Sequence, residues 1–447
     1  MKILNKFVEK FNLTLNWQKA VQNIYWAVLG KVVNTFGALV VAIFVARYLG
    51  PEQYGLMNYV ISYVLLFTII ATFGLDNIVI RELSKNPDNK GLILGTSFIV
   101  RLVLAVFTVV LILITLLLFE ADQFTKIMIM AYSSTLLINC FTLIRNYFTA
   151  IVYNEYVVKS EISRTFIGVL IKVFLLYIHA SLAWFIIATA FDAFLVAGGY
   201  ILSYKKKVGI FSTWSFDRSF CKYLIIESFP LMLSGTAVIV YQRIDQVMIK
   251  NMIDNTAVGY FSVAARITEI ILFLPATITQ TVTPMLNRIL QENPDRYDVK
   301  KQQFVNYVVW ISIITCLLVT VFSYPLIRFS FGNKYIAAVA VLQIMAWKGV
   351  GMALSSSSGQ LIILEGIQKY AFIRNVFGVI ICITMNWILI PKYGIIGSAW
   401  ASIITVSFSG CLANIFIPPY HKILKIQLQA IFTGWKDLAT FYNMLNK

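Results

Sequence analysis

Ten ionisable side chains lie inside long apolar stretches of this 447-residue sequence, where charge is otherwise rare. Six are basic and four are acidic: Lys31, Arg101, Lys172, Arg243, Arg266, Lys348, Asp76, Asp192, Asp245 and Glu269. A charge at membrane depth is costly, so these residues are expected to face a helix-bundle interior or a water-filled cavity. A surplus of bases suits an anionic substrate, and phosphate is the anion that a membrane offers most readily. The pattern predicts a transporter.

The spacing also allows some of these residues to have a purely structural role. Arg266 and Glu269 are three residues apart, so they could simply pair on one helix face. Arg243 and Asp245 are two apart and do not face each other directly. Asp76 lies near a helix end, where its side chain could reach the membrane interface.

Lys31 and Lys348 are the bases for which a purely structural role is hardest to justify. Each lies roughly 15–18 Å from the nearer end of its predicted helix, close to the middle of a bilayer. An idle ammonium group at that depth would be costly. Lys31 is therefore the leading single candidate for substrate binding.

The elements that must position these residues are membrane-spanning helices. The chain is 59% hydrophobic with a mean hydropathy of +0.78, and only 13% of its residues are charged, against about a quarter in soluble domains. Apolar segments of about 20 residues predict twelve helices in an all-α integral membrane fold. They are placed at 21–46, 54–80, 92–119, 125–150, 160–180, 182–204, 223–250, 259–288, 304–331, 336–364, 369–391 and 393–418.

The distribution of lysine and arginine predicts the orientation of these helices. The basic residues of the short connections fall mostly on one alternate set of loops, which by the positive-inside rule is cytoplasmic. Both termini belong to that set. The formal charge of +17 therefore reflects topology, and no nucleic-acid-binding motif accompanies it.

The longest polar connection divides the chain into two similar halves. The predicted organisation is an amphipathic cytoplasmic lead-in (1–20), a six-helix lobe (21–204), a basic linker (205–222), a second six-helix lobe (223–418) and a cytoplasmic tail (419–447). Gly55 and Gly259 each begin the second helix of a half, and Tyr156 and Tyr370 occupy matching positions later on. These matches indicate a parallel repeat, a plan that transporters use. The tail mixes basic and apolar residues and is expected to lie on anionic lipids of the inner leaflet.

Several classes of protein are disfavoured by what the sequence lacks. The five cysteines form no CxxC pair, so neither a disulfide framework nor a metal site is expected. We find no nucleophile–base pair and no nucleotide-phosphate loop, and we therefore expect no enzyme activity and no cofactor. The serine run 355–358 is interpreted as a helix-packing surface, although it could also line a sugar-wetted cavity.

Four segments carry a family resemblance. They are 46–59 (ARYLGPEQYGLMNY), 241–249 (YQRIDQVMI), 258–266 (VGYFSVAAR) and 391–401 (PKYGIIGSAWA). Together they resemble the Wzx-type polysaccharide or O-antigen flippases of the multidrug/oligosaccharidyl-lipid/polysaccharide (MOP) exporter superfamily. The resemblance covers nearly the whole chain.

The resemblance implies a MATE-like fold, with two six-helix lobes around a central cavity, and a specific activity. Such flippases move an undecaprenyl-diphosphate-linked oligosaccharide repeat unit from the inner to the outer leaflet of the bacterial cytoplasmic membrane by alternating access. They do so for O-antigen, capsule or exopolysaccharide assembly, alongside polymerase machinery, and a proton or sodium gradient can drive the cycle. It also implies roles for the cavity residues. The substrate-binding set is Lys31, Arg101, Lys172, Arg243, Arg266 and Lys348, and the ion-coupling set is Asp192, Asp245 and Glu269.

Two other functions are compatible with the composition. A cation-coupled multidrug exporter of the same superfamily would favour acids in its cavity, whereas this chain has a basic surplus. A membrane polysaccharide polymerase would place catalytic acids, arginines or histidines on a substantial external loop. No long external loop is predicted here, and the only histidines are His179 and His421.

Overall fold

The structure is a computed structural model that describes residues 15–437. Helices make up nearly all of this part, and it contains no strand. We number the helices in chain order: α1 (Leu15–Thr72), α2 (Leu75–Lys85), α3 (Lys90–Phe119), α4 (Gln123–Ile138), α5 (Thr142–Ala150), α6 (Asn154–Tyr177), α7 (Leu182–Lys207), α8 (Arg218–Met252), α9 (Asn255–Glu292), α10 (Pro294–Ser330), α11 (Ala338–Met345), α12 (Lys348–Leu364), α13 (Ala371–Gly410) and α14 (His421–Thr433).

The predicted all-α membrane fold is confirmed, and each of the twelve predicted helices coincides with helical chain. Within the described residues, eight helical stretches are long and apolar enough to cross a membrane. Two of them, Val33–Lys85 and Gln368–Phe416, contain a non-helical glycine that divides the stretch in two. A bent pair within α8 adds another span, and the more highly charged α6 completes the twelve.

The two glycine breaks explain how consecutive spans connect without a loop. Gly50 has φ 74° and Gly394 has φ 59°, a left-handed region that costs glycine little because it has no Cβ. Helical residues flank each glycine directly, so the chain changes direction within one residue. Both glycines lie in segments that carry the family resemblance, 46–59 and 391–401.

Helix α3 shows how the spans divide between lipid and protein. Its buried face carries small and polar residues such as Ala105 and Thr108, whereas Val103, Phe107 and Leu117 are exposed. In water this pattern would be unfavourable, but lipid is as apolar as these side chains. Small residues at the buried face let neighbouring helices approach closely.

The chain forms two compact units, each with its own core. The first comprises the described residues up to 48 together with 63–236, and its core includes Leu75, Leu94 and Tyr204. The second comprises 49–62 and the described residues from 237 onward, and its core includes Val308 and Leu361.

The two ends of the chain fall partly outside the described residues. Residues 1–14 of the predicted lead-in and 438–447 of the predicted tail are not described. The described part of the tail forms α14, which packs into the second unit through Ile423, Gln427 and Ala430. Gln427 donates hydrogen bonds to the carbonyl oxygens of Leu354 and Gly410 at 3.0 and 2.8 Å.

A pair of glycines sets the closest helix crossing in the second unit. A Cβ added to Gly55 would overlap the carbonyl oxygen of Asn255, and one added to Gly259 would overlap that of Pro51. The backbones of α1 and α9 are therefore in direct contact there. These are the two glycines that the sequence pattern places at matching positions of the predicted repeat.

We expect Gly55→Ala to destabilise the protein by about 1–3 kcal/mol, because the methyl group forces the two backbones apart. The midpoint of thermal unfolding of the purified protein in detergent measures this. Gly359→Ala is the matched control, since a Cβ at this helical glycine meets nothing within 4 Å. Equal stability of the two variants would contradict the steric argument.

Candidate functional site

Arg101 and Asp76 form an ion pair in the first unit. Arg101 is only 3% exposed, and its Nη1 lies 2.7 Å from Asp76 Oδ1. The same oxygen accepts a hydrogen bond from Asn146 Nδ2 at 2.7 Å. Asp76 therefore neutralises a buried base instead of merely reaching the interface. No sequence spacing predicts this contact, because the three residues lie on α2, α3 and α5.

Lys172 and Asp192 form a second pair in the same unit. Their side chains are 10% and 17% exposed, and Lys172 Nζ lies 2.6 Å from Asp192 Oδ2. Gly168, one turn before Lys172, makes room for the carboxylate, because a Cβ there would overlap Asp192 Oδ1. That oxygen is buried without a hydrogen-bond partner. A base from the substrate-binding set and an acid from the ion-coupling set are thus partners.

Lys31 lies in α1, and its side chain is outside the described residues. Its role in substrate binding therefore stays a prediction. Nearby on α1, Asn34 Nδ2 donates to Glu161 Oε2 at 3.1 Å. Glu161 also accepts a hydrogen bond from the Tyr200 hydroxyl at 3.1 Å, and Arg145 Nε lies 3.7 Å from it. This network was not anticipated, although Glu161 and Asn34 stand out as polar residues near apolar spans.

Arg243, Arg266 and Glu269 form a partly exposed charged cluster of the second unit, which we call the arginine cluster. Glu269 Oε2 lies 3.0 Å from Arg266 Nη1, and Glu269 Oε1 lies 3.5 Å from Arg243 Nη2. The side chains are 30–41% exposed. The spacing of Arg266 and Glu269 allowed for their pairing, but the second arginine comes from another helix. One carboxylate thus faces two guanidinium groups, and the cluster keeps a positive charge.

The arginine cluster lies deep within its helices. Arg243 and Arg266 are each roughly three turns, or ~15 Å, from the short connection between α8 and α9. That distance is about half the thickness of a hydrocarbon core. Tyr54, from the motif at 46–59, interacts electrostatically with Arg266 and Glu269.

Asp245 is at the centre of a buried polar network in the second unit. It is 2% exposed, and it accepts hydrogen bonds from Ser402 Oγ at 2.5 Å and from Asn386 Nδ2 at 2.8 Å. Asn386 in turn accepts a hydrogen bond from Ser398 at 2.8 Å. The serines at 398 and 402 are one helical turn apart in the segment 391–401 and just after it. Asp245 stands out in the sequence as a charge within an apolar span, whereas its uncharged partners do not.

Lys348 is the base nearest to this network. It is 8% exposed and interacts electrostatically with Asp245. Its ammonium group forms no hydrogen bond and no ion pair with any described residue. Lys348 therefore compensates the Asp245 charge at a distance.

The geometry sorts the predicted residues by how well each charge is compensated. Arg101 and Lys172 each have a carboxylate of their own, and Lys348 acts on Asp245. Among these described side chains, the basic surplus is concentrated in the arginine cluster, where two bases share one acid. An anion can be bound there by groups that remain partly accessible.

Two family models match the chain. A family model described as "Polysaccharide biosynthesis protein" matches residues 20–290, more than half of the chain. A second model, MatE, matches residues 230–388.

Two relatives span most of the chain. An uncharacterised membrane protein of Methanocaldococcus jannaschii is 22% identical over 86% of this chain and 80% of its own length. A Shigella flexneri protein provisionally named an O-antigen transporter is 23% identical over 85% of this chain and 93% of its own length.

Two solved structures share the fold. The lipid II flippase MurJ in an inward closed conformation has a TM-score of 0.66 at 16% identity, covering 94% of this chain and 93% of its own. An inward-facing multidrug resistance transporter of the MATE family, in the MOP superfamily, has a TM-score of 0.65 at 16% identity, covering 88% and 95%. The family match shows that the chain belongs to the polysaccharide biosynthesis protein family, and its helices form a multi-pass membrane fold that these transporters share.

Proposed function

We propose that this protein is a flippase of the MOP superfamily that moves an undecaprenyl-diphosphate-linked oligosaccharide from the inner to the outer leaflet of a bacterial cytoplasmic membrane, with both termini in the cytoplasm. The observation that carries the proposal is the arginine cluster. Two guanidinium groups and one carboxylate lie near mid-membrane depth with about a third of their surface accessible. A diphosphate is the anionic part of such a lipid-linked sugar. A transporter that binds the diphosphate can recognise the lipid carrier whatever glycan is attached to it.

The chemistry of the cluster fits reversible binding of a diphosphate. Guanidinium groups bind phosphate oxygens through paired N–H donors, and two of them match the two phosphates. Glu269 holds both arginines while the site is empty, so neither charge is left unpaired at depth. Because Glu269 competes with the substrate, it also limits affinity, which favours release on the opposite side.

We further propose distinct roles for the other charged residues. Arg101 and Lys172 are largely neutralised by their own carboxylates and serve to hold helices of the first unit together. Lys31 and Lys348 remain candidates for substrate binding, because both are predicted to lie near the middle of the membrane.

We propose Asp245 as the coupling-ion residue. Oxygen atoms of carboxylate, amide and hydroxyl groups are the ligands that hard cations prefer. Asp245, Asn386 and Ser402 bring one of each together in a buried position, and a rotation of the amide and the hydroxyl would turn their oxygens toward an ion. Lys348 supplies a nearby positive charge that opposes cation binding, so movement of Lys348 would change the affinity.

A multidrug exporter is the alternative with specific support, because a MATE multidrug transporter shares the fold. An exporter of organic cations needs acidic groups that attract its substrate. The arginine cluster instead has a surplus of positive charge, which would repel such a substrate. In addition, the family whose model matches residues 20–290 is one of polysaccharide biosynthesis. We therefore favour the lipid-linked glycan. For the same reason we propose no catalytic role, such as glycan polymerisation.

For the substrate, we expect Arg266→Gln to block flipping. Loss of a charged hydrogen bond costs about 1.5–3 kcal/mol, which corresponds to about 10–100-fold weaker binding. In cells whose only copy is this variant, complete lipid-linked repeat units should accumulate on the inner leaflet, measured by their access to an impermeant label.

The control for Arg266→Gln is Arg288→Gln on the same helix, because the Arg288 side chain is 73% exposed and pairs with Glu292. This variant should flip normally. Accumulation on the outer leaflet in the Arg266→Gln cells would indicate a polymerase. Loss of drug resistance without lipid accumulation would indicate the exporter.

For the coupling ion, we expect sodium or protons to stabilise the wild-type protein and not Asp245→Asn. A ligand at 100 times its dissociation constant stabilises by about 2.7 kcal/mol. The measurement is the unfolding midpoint in detergent with sodium chloride or choline chloride, at several pH values. Asp298→Asn, which removes an acid that is 79% exposed, should keep the wild-type response. A wild-type protein that responds to neither ion would refute this assignment.

For the Lys172–Asp192 pair, we expect the single and double substitutions to differ. Lys172→Met leaves a buried carboxylate unpaired, which costs about 3–5 kcal/mol, whereas Lys172→Met with Asp192→Leu removes both charges and restores much of the stability. Flipping should return with stability in the double variant. A stable double variant that still cannot flip would show that Lys172 binds substrate after all.

A further inference from the structure

Arg374 is a buried base with no acidic partner in the described part of the chain. It is 8% exposed, and its Nε is buried with no hydrogen-bond partner among the described residues. The hydrogen bond from its Nη1 to Ser358 Oγ is long, at 3.4 Å. No carboxylate of the described chain lies within ion-pair distance of it. The ionisable groups that act on it electrostatically are Tyr241 and Tyr420, whose phenols are neutral at pH 7.

This arrangement differs from that of the other deep bases, which either contact a carboxylate or, in the case of Lys348, interact electrostatically with one. Arg101 and Lys172 are equally buried, but each contacts a carboxylate at 2.6–2.7 Å. Taking an arginine out of water without a counter-ion costs several kcal/mol. An anion that is bound for part of the time would offset that cost.

The backbone around Arg374 adds a second positive element. Arg374 lies in the first turn of α13, and that turn has no side-chain cap. The first amide N–H groups of a helix have no partner inside the helix and carry a partial positive charge. Anions bind readily at such an end. The helical turn 368–370 leads directly into α13, and the Ala371 N–H already donates to the Gln368 carbonyl oxygen. The buried guanidinium therefore coincides with the positive end of a helix at which the first amide is bonded.

The surface next to this position is made of small residues. Ser355, Ser356 and Gly359 of α12 are partly exposed beside the buried Ser358. A Cβ at Gly359 would meet nothing within 4 Å. Ser358 contacts Arg374 through its hydroxyl, whereas Ser356 lies against Thr279 and Ser355 lies against Gly410. The contact with Arg374 gives one member of the serine run a role besides helix packing.

We propose that Arg374, Ser358 and the first turn of α13 form a binding site for the phosphate group of a membrane lipid, separate from the arginine cluster. A guanidinium fork, a hydroxyl and the positive end of a helix together suit the phosphate of an anionic lipid more closely than a carboxylate. The predicted topology places Arg374 near the cytoplasmic leaflet, where anionic lipids supply such headgroups. The site does not depend on which glycan is transported.

The test measures the thermal unfolding midpoint of the full-length protein in detergent. Mixed micelles with phosphatidylglycerol are compared with phosphatidylcholine, and inorganic pyrophosphate is added without lipid in a separate series. We expect phosphatidylglycerol to raise the wild-type midpoint. Arg374→Met should lose this rise and, because an unpaired charge is removed, should be at least as stable as wild type without anionic lipid.

Two further variants keep the proposal falsifiable. Arg374→Lys retains the charge without the planar fork, so about tenfold more phosphatidylglycerol should be needed. Arg288→Gln, the exposed control, should respond as wild type does. An unchanged response in Arg374→Met, or no response in wild type, would overturn the site. An equal rise with pyrophosphate alone would show a soluble anion instead and overturn the lipid assignment.

Discussion

The cost of keeping charge away from water governs how this protein arranges its polar residues. In the first unit, Arg101 and Lys172 each contact a carboxylate from another helix, so the pairs hold those helices together. Asp245 has no base in contact and is instead held by a hydroxyl and an amide, with Lys348 acting at a distance. A well-compensated charge contributes to packing. An under-compensated one marks a position where a ligand lowers the free energy.

Bases of the same type therefore have different roles: those that contact a carboxylate hold helices together, and those that are only partly compensated are candidates for ligand binding. In the arginine cluster, Glu269 divides its charge between two bases, and the group stays partly accessible. At Arg374 the base is buried and has only a long bond to a serine. The first arrangement fits a substrate that enters and leaves. The second fits a ligand that remains in place.

The sequence predicted the helices well because hydropathy is a local property. Each span could be located from about 20 consecutive apolar residues, and the family was recognised from short segments such as 46–59. The partners of the charged residues were harder to predict, because the contacts join residues on different helices that are distant in the sequence. Lys172 and Asp192 are 20 residues apart on separate helices, and Asp245 and Asn386 are 141 apart. Asparagine and serine carry no charge, so Asn146, Asn386 and Ser402 gave a weaker signal. The pairing of Arg266 with Glu269 could be predicted from the sequence, because the two residues are three apart on one helix.

The crossing at Gly55 and Gly259 has a consequence for the origin of the chain. The two glycines occupy matching positions of the predicted repeat, and each would overlap the backbone beside the other if a methyl group were added. A residue that contacts its own counterpart is the defining property of an isologous interface, the kind that relates the subunits of a two-fold symmetric dimer. Under the predicted repeat, the contact is therefore the kind that two copies of one six-helix chain would make. Within a single chain the two positions mutate independently, so a larger residue at either one is enough to separate the helices.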